Sequence, residues 1–199
     1  MTTLNGVASF GLHVRRGFFD ERTREGIVAE MRSARAAPVT VYGQGSSSSI
    51  DERVRKGVRH EPSWETVEFV RRRLSECKHE VEEHFSLRLS EVEAPQFLRY
   101  RVGDFFVAHQ DGNTGLLQSD QEARRVSVVI FLSRQSNDPD EGDYCGGSLV
   151  FHEWRPGREG GEFRLDGEAG TLVAFRSEIT HEVTPVTNGE RHSIACWYR

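Results

Sequence analysis

His109 and Asp111 are the residues whose types and spacing first suggest chemistry. They lie in FVAHQDGNTG, residues 106–115, where a short apolar run ends and a turn-rich segment begins. Side chains two apart in a β-strand point to the same face, so an imidazole and a carboxylate would enter one space here. Such a pair is either two solvated polar residues or two ligands of a metal ion. Gln110, between them, should point away and tolerate replacement.

A metal ion would need a third ligand from elsewhere in the chain. His181 is best placed, because it opens the strand-like segment HEVTPV directly after another strand and a short turn, and His152 remains an alternative. Two histidines and one carboxylate leave coordination positions open, which suits non-haem Fe(II) and oxygen chemistry. Structural zinc would instead favour four closed ligands, usually including cysteine. The other histidines precede the strand-rich region, lie on a predicted helix or follow later: His13, His60, His79, His84 and His192.

Arg191 begins the segment RHSIACWYR, and alternation places Ser193, Ala195 and Trp197 on its face of a strand. A buried guanidinium needs an anion, because an unpaired buried charge is costly. A guanidinium with a hydroxyl two residues later would make a clamp for a carboxylate. The alternative for Arg191 is a structural salt bridge to one of the acidic residues of the chain.

The elements before residue 95 read mainly as helices. Asp20 is a candidate N-cap of a first helix, and Ser63 is a candidate N-cap of a second helix that continues to Phe85. Between them, the Gly/Ser-rich segment 43–52 is interpreted as a flexible loop, and in an enzyme such a loop can be a lid. The apolar residues of the two helices recur at spacings of three and four: Ile27, Val28 and Met31, then Val67, Val70, Leu74, Cys77, Val81 and Phe85.

From about residue 95 the hydrophobic period changes to two. Short strand-like segments separated by Gly and Asp/Asn clusters are typical of a barrel or a two-sheet jelly roll. We therefore predict one domain over 1–199 of mainly β structure with N-terminal helices (α+β), with 1–94 as helical support and substrate loops and 95–199 as the jelly-roll core. The segments are PQFLRYRV, FFVAHQD, RRVSVVIFLS, GSLVFHEW, GEFRLD, GTLVAFR, HEVTPV and RHSIACWY.

Composition excludes some partners. The formal net charge is −5, which gives no general attraction to nucleic acid or anionic lipid. No charged segment followed by a long apolar run opens the sequence, and no apolar run approaches the roughly 20 residues that span a bilayer. The 3 cysteines are far apart and form no CxxC motif. We expect a cytoplasmic protein without disulfides or membrane association.

Several motifs in order resemble those of the 2-oxoglutarate and Fe(II)-dependent dioxygenases, in particular the prolyl 4-hydroxylase-like branch. The resemblance covers about 95–199 and more loosely the helices before it, and it implies a double-stranded β-helix of the cupin-like kind. The Gly146–Gly147 pair fits the glycines that precede a core strand in the family, where a tight entry or a positive φ is expected. The motifs are YRVGDFFVAHQD, RRVSVVIFLS, GGSLVF, GEAGTLVAF, HEVTPV and GERHSIACWY.

The resemblance implies a role for each site residue. His109, Asp111 and His181 would be the iron ligands, and Arg191 would bind the distal carboxylate of 2-oxoglutarate. Tyr100 resembles a tyrosine that also hydrogen-bonds this co-substrate, and Ser193 would assist Arg191. The implied cofactor is Fe(II), with 2-oxoglutarate and O2 as co-substrates and ascorbate as a further candidate.

The resemblance also implies the reaction, a hydroxylation coupled to release of succinate and CO2. Asp111 favours hydroxylation, because related halogenases replace this carboxylate with Gly or Ala. Trp197 stands where the nucleic-acid demethylases of the superfamily carry another arginine, so no nucleic-acid partner is expected.

The substrate remains open at this stage. A prolyl residue of a protein or peptide is one expectation, and a small molecule or free amino acid is another. Arg53, Arg55 or Arg59 could contact it from the basic cluster DERVRKGVRH, although a solvated surface is the simpler reading of those charges. The other function classes are a non-catalytic jelly-roll module that binds a metal or small acid, and metal-assisted hydrolysis, which would not require the arginine clamp. The oligomeric state is not predicted.

Overall fold

The computed structural model describes residues 2–42, 48–112, 123–153 and 161–199, with the backbone alone for 2–5, 41–42 and 48–49. Part of the predicted lid (43–47) and most of the segment after Asp111 (113–122) lie outside the described residues. The helices are α1 (Thr2–Ser9), α2 (Glu21–Ser33), α3 (Trp64–Glu76) and α4 (Lys78–Phe85). The strands are β1 (His13–Arg15), β2 (Arg35–Pro38), β3 (Val41–Tyr42), β4 (Ser48–Ser49), β5 (Arg55–Lys56), β6 (Val58–Glu61), β7 (Gln96–Tyr100), β8 (Phe105–His109), β9 (Val126–Phe131), β10 (Tyr144–Gly146), β11 (Leu149–His152), β12 (Glu162–Leu165), β13 (Leu172–Arg176), β14 (Thr180–Val183), β15 (Val186–Gly189) and β16 (Arg191–Tyr198).

Two antiparallel sheets form the body of the protein. In the part of the chain that the structure describes, the larger sheet has the order β1-β13-β9-β16-β7-β6-β2, and the smaller sheet has the order β12-β11-β14-β8-β5. Two short ribbons, β10-β15 and β3-β4, accompany them. This mainly β architecture with helices confirms the predicted fold class, and every segment predicted as a strand after residue 95 contains one.

Helices α2, α3 and α4 cover the outer face of the larger sheet, whereas α1 packs against Phe163 of β12 in the smaller sheet. Ile27 and Met31 of α2 and Leu74 of α3 share one buried hydrophobic cluster with Ile130 and Ile194 of the central strands. The predicted caps are also present, because the Asp20 and Ser63 side chains accept hydrogen bonds from the third backbone N–H after each. The N-terminal helices therefore buttress the sheet as the periodicity predicts.

The prediction of one continuous second helix was wrong. The chain breaks between α3 and α4 at Cys77, where φ is −92° and ψ is 2°. The Cys77 backbone N–H reaches the carbonyls of Arg73 and Leu74, so the last turn tightens before α4 begins. The apolar stripe survives the break, since Val81 and Phe85 pack in the same cluster.

The region 1–94 also contributes strands, which the sequence did not reveal. β2 and β6 extend the larger sheet beyond β7, and β5 pairs with β8 at the edge of the smaller sheet. These strands are two to four residues long, too short for a period-two pattern to show. Their position beside β7 and β8 makes the N-terminal region part of the wall around the space between the sheets.

Strand β16 shows how alternation divides the interior. Ile194, Cys196 and Tyr198 face the helices and belong to the cluster beneath them. Arg191 and Trp197 line the opposite side, between the two sheets. Among the described helices, none combines the length and apolar character needed to cross a membrane.

Candidate functional site

A cavity of about 490 Å³ lies between the two sheets. It receives side chains from β7, β8, β9, β14 and β16, the strands that carry the motifs of interest. All of the predicted site residues line this one cavity: Tyr100, His109, Asp111, His181, Arg191 and Ser193.

His109, Asp111 and His181 converge in this cavity. The two histidines are Cα partners across the β8–β14 pairing, so strand register brings their rings together. His109 Nε2 lies 3.6 Å from Asp111 Oδ1, and His181 Nε2 lies 3.5 Å from Asp111 Oδ2. One ligand atom from each of the three residues lies within 4.8 Å of the others. The spacing suits three ligands of a single ion.

Hydrogen bonds set the orientation of both imidazoles. Nδ1 of His109 lies 2.8 Å from the Val107 carbonyl, and Nδ1 of His181 lies 3.0 Å from the Ile179 carbonyl. A carbonyl can only accept, so Nδ1 is the donor in both contacts, and Nε2 of each ring faces Asp111. Metal-binding histidines in proteins commonly have this second hydrogen bond.

Two neighbouring strands hold the Asp111 carboxylate. The Ser127 hydroxyl of β9 donates to Asp111 Oδ2 at 2.7 Å and lies 2.9 Å from the Ser177 hydroxyl. The backbone N–H of Asp111 donates to the Ser177 carbonyl at 3.0 Å. Asp111 is thus held by residues of the larger sheet, Ser127 on β9 and Ser177 directly after β13.

The protonation states also fit a metal site. Burial lowers the pKa of His181 to about 4, so its imidazole is neutral near pH 7. Burial alone would raise the pKa of Asp111, but the adjacent His181 and His109 outweigh it and hold that pKa well below its usual value. Neutral imidazole and ionised carboxylate are the forms that bind a cation. The three side chains therefore fit Fe(II), with open positions for further ligands.

Arg191 also lines this cavity. It is 2% exposed, and its Nη1 donates to the Ser193 hydroxyl at 2.7 Å. The rings of Tyr100 and Phe131 lie 5.5 and 5.3 Å from its Cζ. No carboxylate among the described residues lies within salt-bridge distance of it, so none of those acids supplies the structural salt bridge. A buried guanidinium paired only with a hydroxyl fits an incoming carboxylate.

The glycine pair shapes the approach to Arg191. Gly146 and Gly147 have φ of 70° and 58°, a region that favours glycine, as expected. A Cβ at Gly147 would lie 2.9 Å from Val186 Cγ2 and 3.1 Å from Arg191 Cδ. The second glycine therefore leaves room for the arginine side chain.

Ser127 and Tyr144 lie near the site but were not predicted from the sequence. Ser127 gave no motif, although its position in the alternation of β9 could have marked it as facing the cavity. Tyr144 directly precedes the CGG stretch and is buried, which raises the pKa of its hydroxyl. Its Cε2 and the Cδ of Arg191 both border the space beside Gly147, so Tyr144 belongs to the surroundings of the guanidinium.

Several other candidates take different places. His152 lies outside the triad, with Nε2 3.5 Å from Glu182. Gln110 was expected to point away, but it is among the residues lining the cavity, and its amide donates to the Thr180 hydroxyl at 3.1 Å. Because β8 ends at His109, strict alternation no longer applies at Gln110.

The three arginines of the basic cluster also separate. Arg53 is a surface residue, with 89% of its side chain exposed and an ion pair to Asp51. Arg55 and Arg59 both line the cavity. Arg55 is buried, whereas about half of the Arg59 side chain is exposed.

Comparison with known protein families gives one match over the strand-rich half. The family model of the 2OG-Fe(II) oxygenase superfamily matches residues 95–199. A PKHD-type hydroxylase of Paraburkholderia phytofirmans is 33% identical over 109 residues, 54% of this chain and 43% of that protein. One from Paracoccus denitrificans is 35% identical over 105 residues, 52% of this chain and 41% of that protein. The chain thus matches less than half the length of these curated relatives.

Solved structures extend the likeness to nearly the whole chain. A Pseudomonas putida prolyl-4-hydroxylase aligns over 99% of this chain and 96% of its own, with a TM-score of 0.69 and 24% identity. A prolyl hydroxylase from Trichoplax adhaerens, in complex with a hypoxia-inducible-factor peptide fragment, aligns over 99% and 87%, with a TM-score of 0.64 and 18% identity. At these identities the likeness establishes a shared fold that includes the N-terminal region.

Proposed function

Because this chain belongs to the 2OG-Fe(II) oxygenase superfamily, we propose that it hydroxylates an unactivated C–H bond of a substrate bound in the cavity between its sheets. In the proposed reaction one atom of O2 enters the substrate and the other enters succinate, as 2-oxoglutarate loses CO2. The observation that supports this best is the combination, in one cavity, of a His-Asp-His triad and a buried arginine that has no acidic partner among the described residues.

The triad residues have the role of holding iron. His109 and His181 would bind it through Nε2, and Asp111 would bind it through a carboxylate oxygen. Bound iron supplies the activation of O2, and three protein ligands leave coordination positions open for co-substrate. The carbonyls of Val107 and Ile179 keep both imidazoles in the required tautomer, while Ser127 keeps the carboxylate turned toward them.

Arg191 and Ser193 have the role of binding the distal carboxylate of 2-oxoglutarate. The guanidinium is already oriented by its hydrogen bond to the hydroxyl, so little side-chain entropy is lost on binding. Tyr100 packs beside it and offers a further hydroxyl in the cavity. Apolar side chains complete the wall and reduce the water around the reacting groups, among them Phe106, Leu149 and Val183.

A prolyl residue of a protein or peptide is the substrate class that the relatives support. The curated relatives are named PKHD-type hydroxylases, and the two structural neighbours are described as prolyl hydroxylases. A small molecule or free amino acid would enter the same cavity. Screening peptides and metabolites for the gain of one oxygen atom separates the two classes.

The test of the proposed function measures co-substrate binding and turnover separately. Fe(II)-loaded protein under nitrogen should bind 2-oxoglutarate, and admission of O2 with substrate should yield succinate. Asp111→Ala should abolish iron-dependent turnover, and Arg191→Gln should weaken 2-oxoglutarate binding about tenfold or more, the loss of a charge-assisted pair. The exposed Arg53→Gln serves as a control and should change neither. Full turnover by Asp111→Ala, or unchanged binding by Arg191→Gln, would refute these assignments.

A further inference from the structure

Arg55 is a second buried arginine in the same cavity. Among the described residues, the buried arginines are Arg55, 9% exposed, and Arg191, 2% exposed. Arg55 lies on β5 at the edge of the smaller sheet, with Phe106 of β8 as its Cα partner. Its neighbour Lys56, by contrast, has nearly half of its side chain exposed and lies 3.7 Å from the Asp104 carboxylate.

The Arg55 guanidinium has no acidic partner among the described residues. Its Nη1 donates to the Thr40 carbonyl at 3.3 Å and its Nη2 to the Tyr100 hydroxyl at 3.5 Å, both long and both neutral acceptors. Its Nε has no hydrogen-bond partner. The Phe106 ring lies 4.5 Å from its Cζ and supports the positive charge without neutralising it. A cation buried in this way lacks the counter-charge that usually accompanies burial.

The other cations that line the cavity are accounted for differently. Arg124 makes two hydrogen bonds to Glu93, at 2.9 and 2.8 Å, and stacks on Trp197. Arg59 is half exposed and lies 3.8 Å from Glu61. Arg191 is proposed to bind the distal carboxylate of 2-oxoglutarate, and the other carboxylate of this molecule would lie at the metal. This dianion has no third carboxylate for Arg55.

The position of Arg55 connects it to the reacting centre. The Phe106 ring that it overlies also stacks on the His109 ring, with centroids 3.5 Å apart and planes 20° apart. A single aromatic ring, that of Phe106, therefore lies between Arg55 and the proposed iron ligand His109. Arg55 and Thr40 belong to the part of the cavity wall that the N-terminal region forms. A group bound by Arg55 would sit close to the carbon that reacts.

From these observations we propose that Arg55 binds a carboxylate of the substrate, so that the substrate is an acid whose anionic group lies close to the oxidised C–H bond. The inference rests on the proposed hydroxylase function and narrows its substrate class to a carboxylic acid, either a small molecule or an acidic position of a peptide. Arginine suits this role because its planar fork matches a carboxylate with two parallel hydrogen bonds.

The competing source of the same anion is the distal carboxylate of 2-oxoglutarate. The Tyr100 hydroxyl is 3.5 Å from Arg55, and the Tyr100 ring is 5.5 Å from Cζ of Arg191, so the two guanidiniums share a neighbour. If Arg55 served the co-substrate, its loss would weaken 2-oxoglutarate binding and leave substrate preference unchanged. The two sources therefore predict different results for one variant.

The experiment compares binding of matched acids and amides. The probes are a panel of N-acetyl amino acids, each as the free acid and as the primary amide. They are titrated calorimetrically into the 199-residue protein under nitrogen, with and without Fe(II) and 2-oxoglutarate. We expect at least one free acid to bind the loaded protein about tenfold more tightly than its amide, the value of one charge-assisted pair. Arg55→Gln should remove this preference, Arg55→Lys should keep part of it, and the surface control Arg53→Gln should keep all of it.

Three outcomes would overturn the proposal: no acid preference in the wild type, an acid preference that survives in Arg55→Gln, or a loss in Arg55→Gln of 2-oxoglutarate affinity alone. Thermal unfolding of each variant shows whether it folds. If Arg55→Gln does not fold, Arg55→Lys still tests the proposal, because it keeps the charge but loses the planar fork. Failure of the hydroxylase proposal would give a different result. The protein would then not bind 2-oxoglutarate through Arg191, whether or not Arg55 gives a preference for the free acids.

Discussion

At the scale of single residues, the proposed metal ligands depend on side chains that would never touch the metal. The three ligands come from two strands and the turn after one of them, and their donor atoms are turned inward by hydrogen bonds from behind. For Asp111 this partner is the Ser127 hydroxyl, 2.7 Å from Oδ2. Ser127 lies on the facing sheet and is 1% exposed, so water cannot easily replace it. Without this donor the buried carboxylate would keep its charge, and its orientation would depend on His109 and Trp197.

Replacing Ser127 with alanine should therefore weaken metal binding while leaving all three ligands in place. Loss of a partner that orients a ligand typically costs about 10–100-fold in metal affinity. Titration of metal-free protein with Co(II), followed by absorption, measures this directly. Ser75→Ala on the exposed part of α3 is the matched control and should bind Co(II) like the wild type. Equal affinities for Ser127→Ala and wild type would show that the hydroxyl does not orient the carboxylate.

At the scale of elements, the Gly146–Gly147 pair before β11 determines how closely the Arg191 side chain can pack against the backbone there. Gly146 and Gly147 both have positive φ, and at Gly147 an added methyl group would meet Val186 and the Arg191 side chain. Gly142 offers a comparison, because its φ is 91° but nothing lies within 4 Å of an added Cβ. A comparison of Gly142 with Gly147 thus separates the cost of backbone strain from the cost of crowding the guanidinium.

Gly147→Ala should lose both stability and 2-oxoglutarate affinity. Positive φ at a non-glycine residue costs on the order of 1–3 kcal/mol, and this cost should appear in Gly142→Ala as well. Only Gly147→Ala should also weaken 2-oxoglutarate binding, because the added methyl group would displace Arg191. We expect a loss of about tenfold, which corresponds to roughly 1.4 kcal/mol of binding free energy. Urea unfolding measures the first effect and calorimetry the second. Equal 2-oxoglutarate affinity in the two variants would mean that Arg191 adjusts without loss.

The elements also show what the sequence could and could not reveal. Most strands from β7 onward lie within the predicted segments, as β9 and β16 do, because long apolar runs mark them. The short strand β10 and most of β15 were not predicted. The two histidines and Arg191 followed from strand positions together with ordered motifs. Asp111 lies in the turn after β8, where the alternation that paired it with His109 no longer applies. The break at Cys77 was not predictable, since the apolar spacing of three and four continues through it. Arg55 could not be chosen over Arg53 or Arg59, because its burial depends on a two-residue strand paired with distant Phe106.

At the scale of the whole molecule, His192 lies where N-terminal elements meet the β core. It is 1% exposed, and burial lowers its pKa to about 4. Glu190 opposes this shift, while Arg32 of α2, Arg99 of β7 and His60 of β6 add to it. The three groups that lower the pKa lie on α2, β7 and β6, so a proton added to His192 would strain the junction between α2 and these strands of the larger sheet.

The pH dependence of unfolding should report this junction. An unfolded histidine has a pKa near 6.5, so between about pH 6.5 and 4 the unfolded chain binds a proton that the folded protein does not, and stability falls as the pH falls. For His192 alone the loss between pH 7 and pH 5 is about 2 kcal/mol. His192→Gln should reduce the pH dependence of urea unfolding by about this amount, because the substitution removes the titrating group but keeps a polar side chain. His79→Gln, at a site with 82% of the side chain exposed, should leave it unchanged. If His192→Gln and wild type lost stability in parallel between pH 7 and pH 5, the junction would tolerate a charged imidazole and the depressed pKa would be wrong.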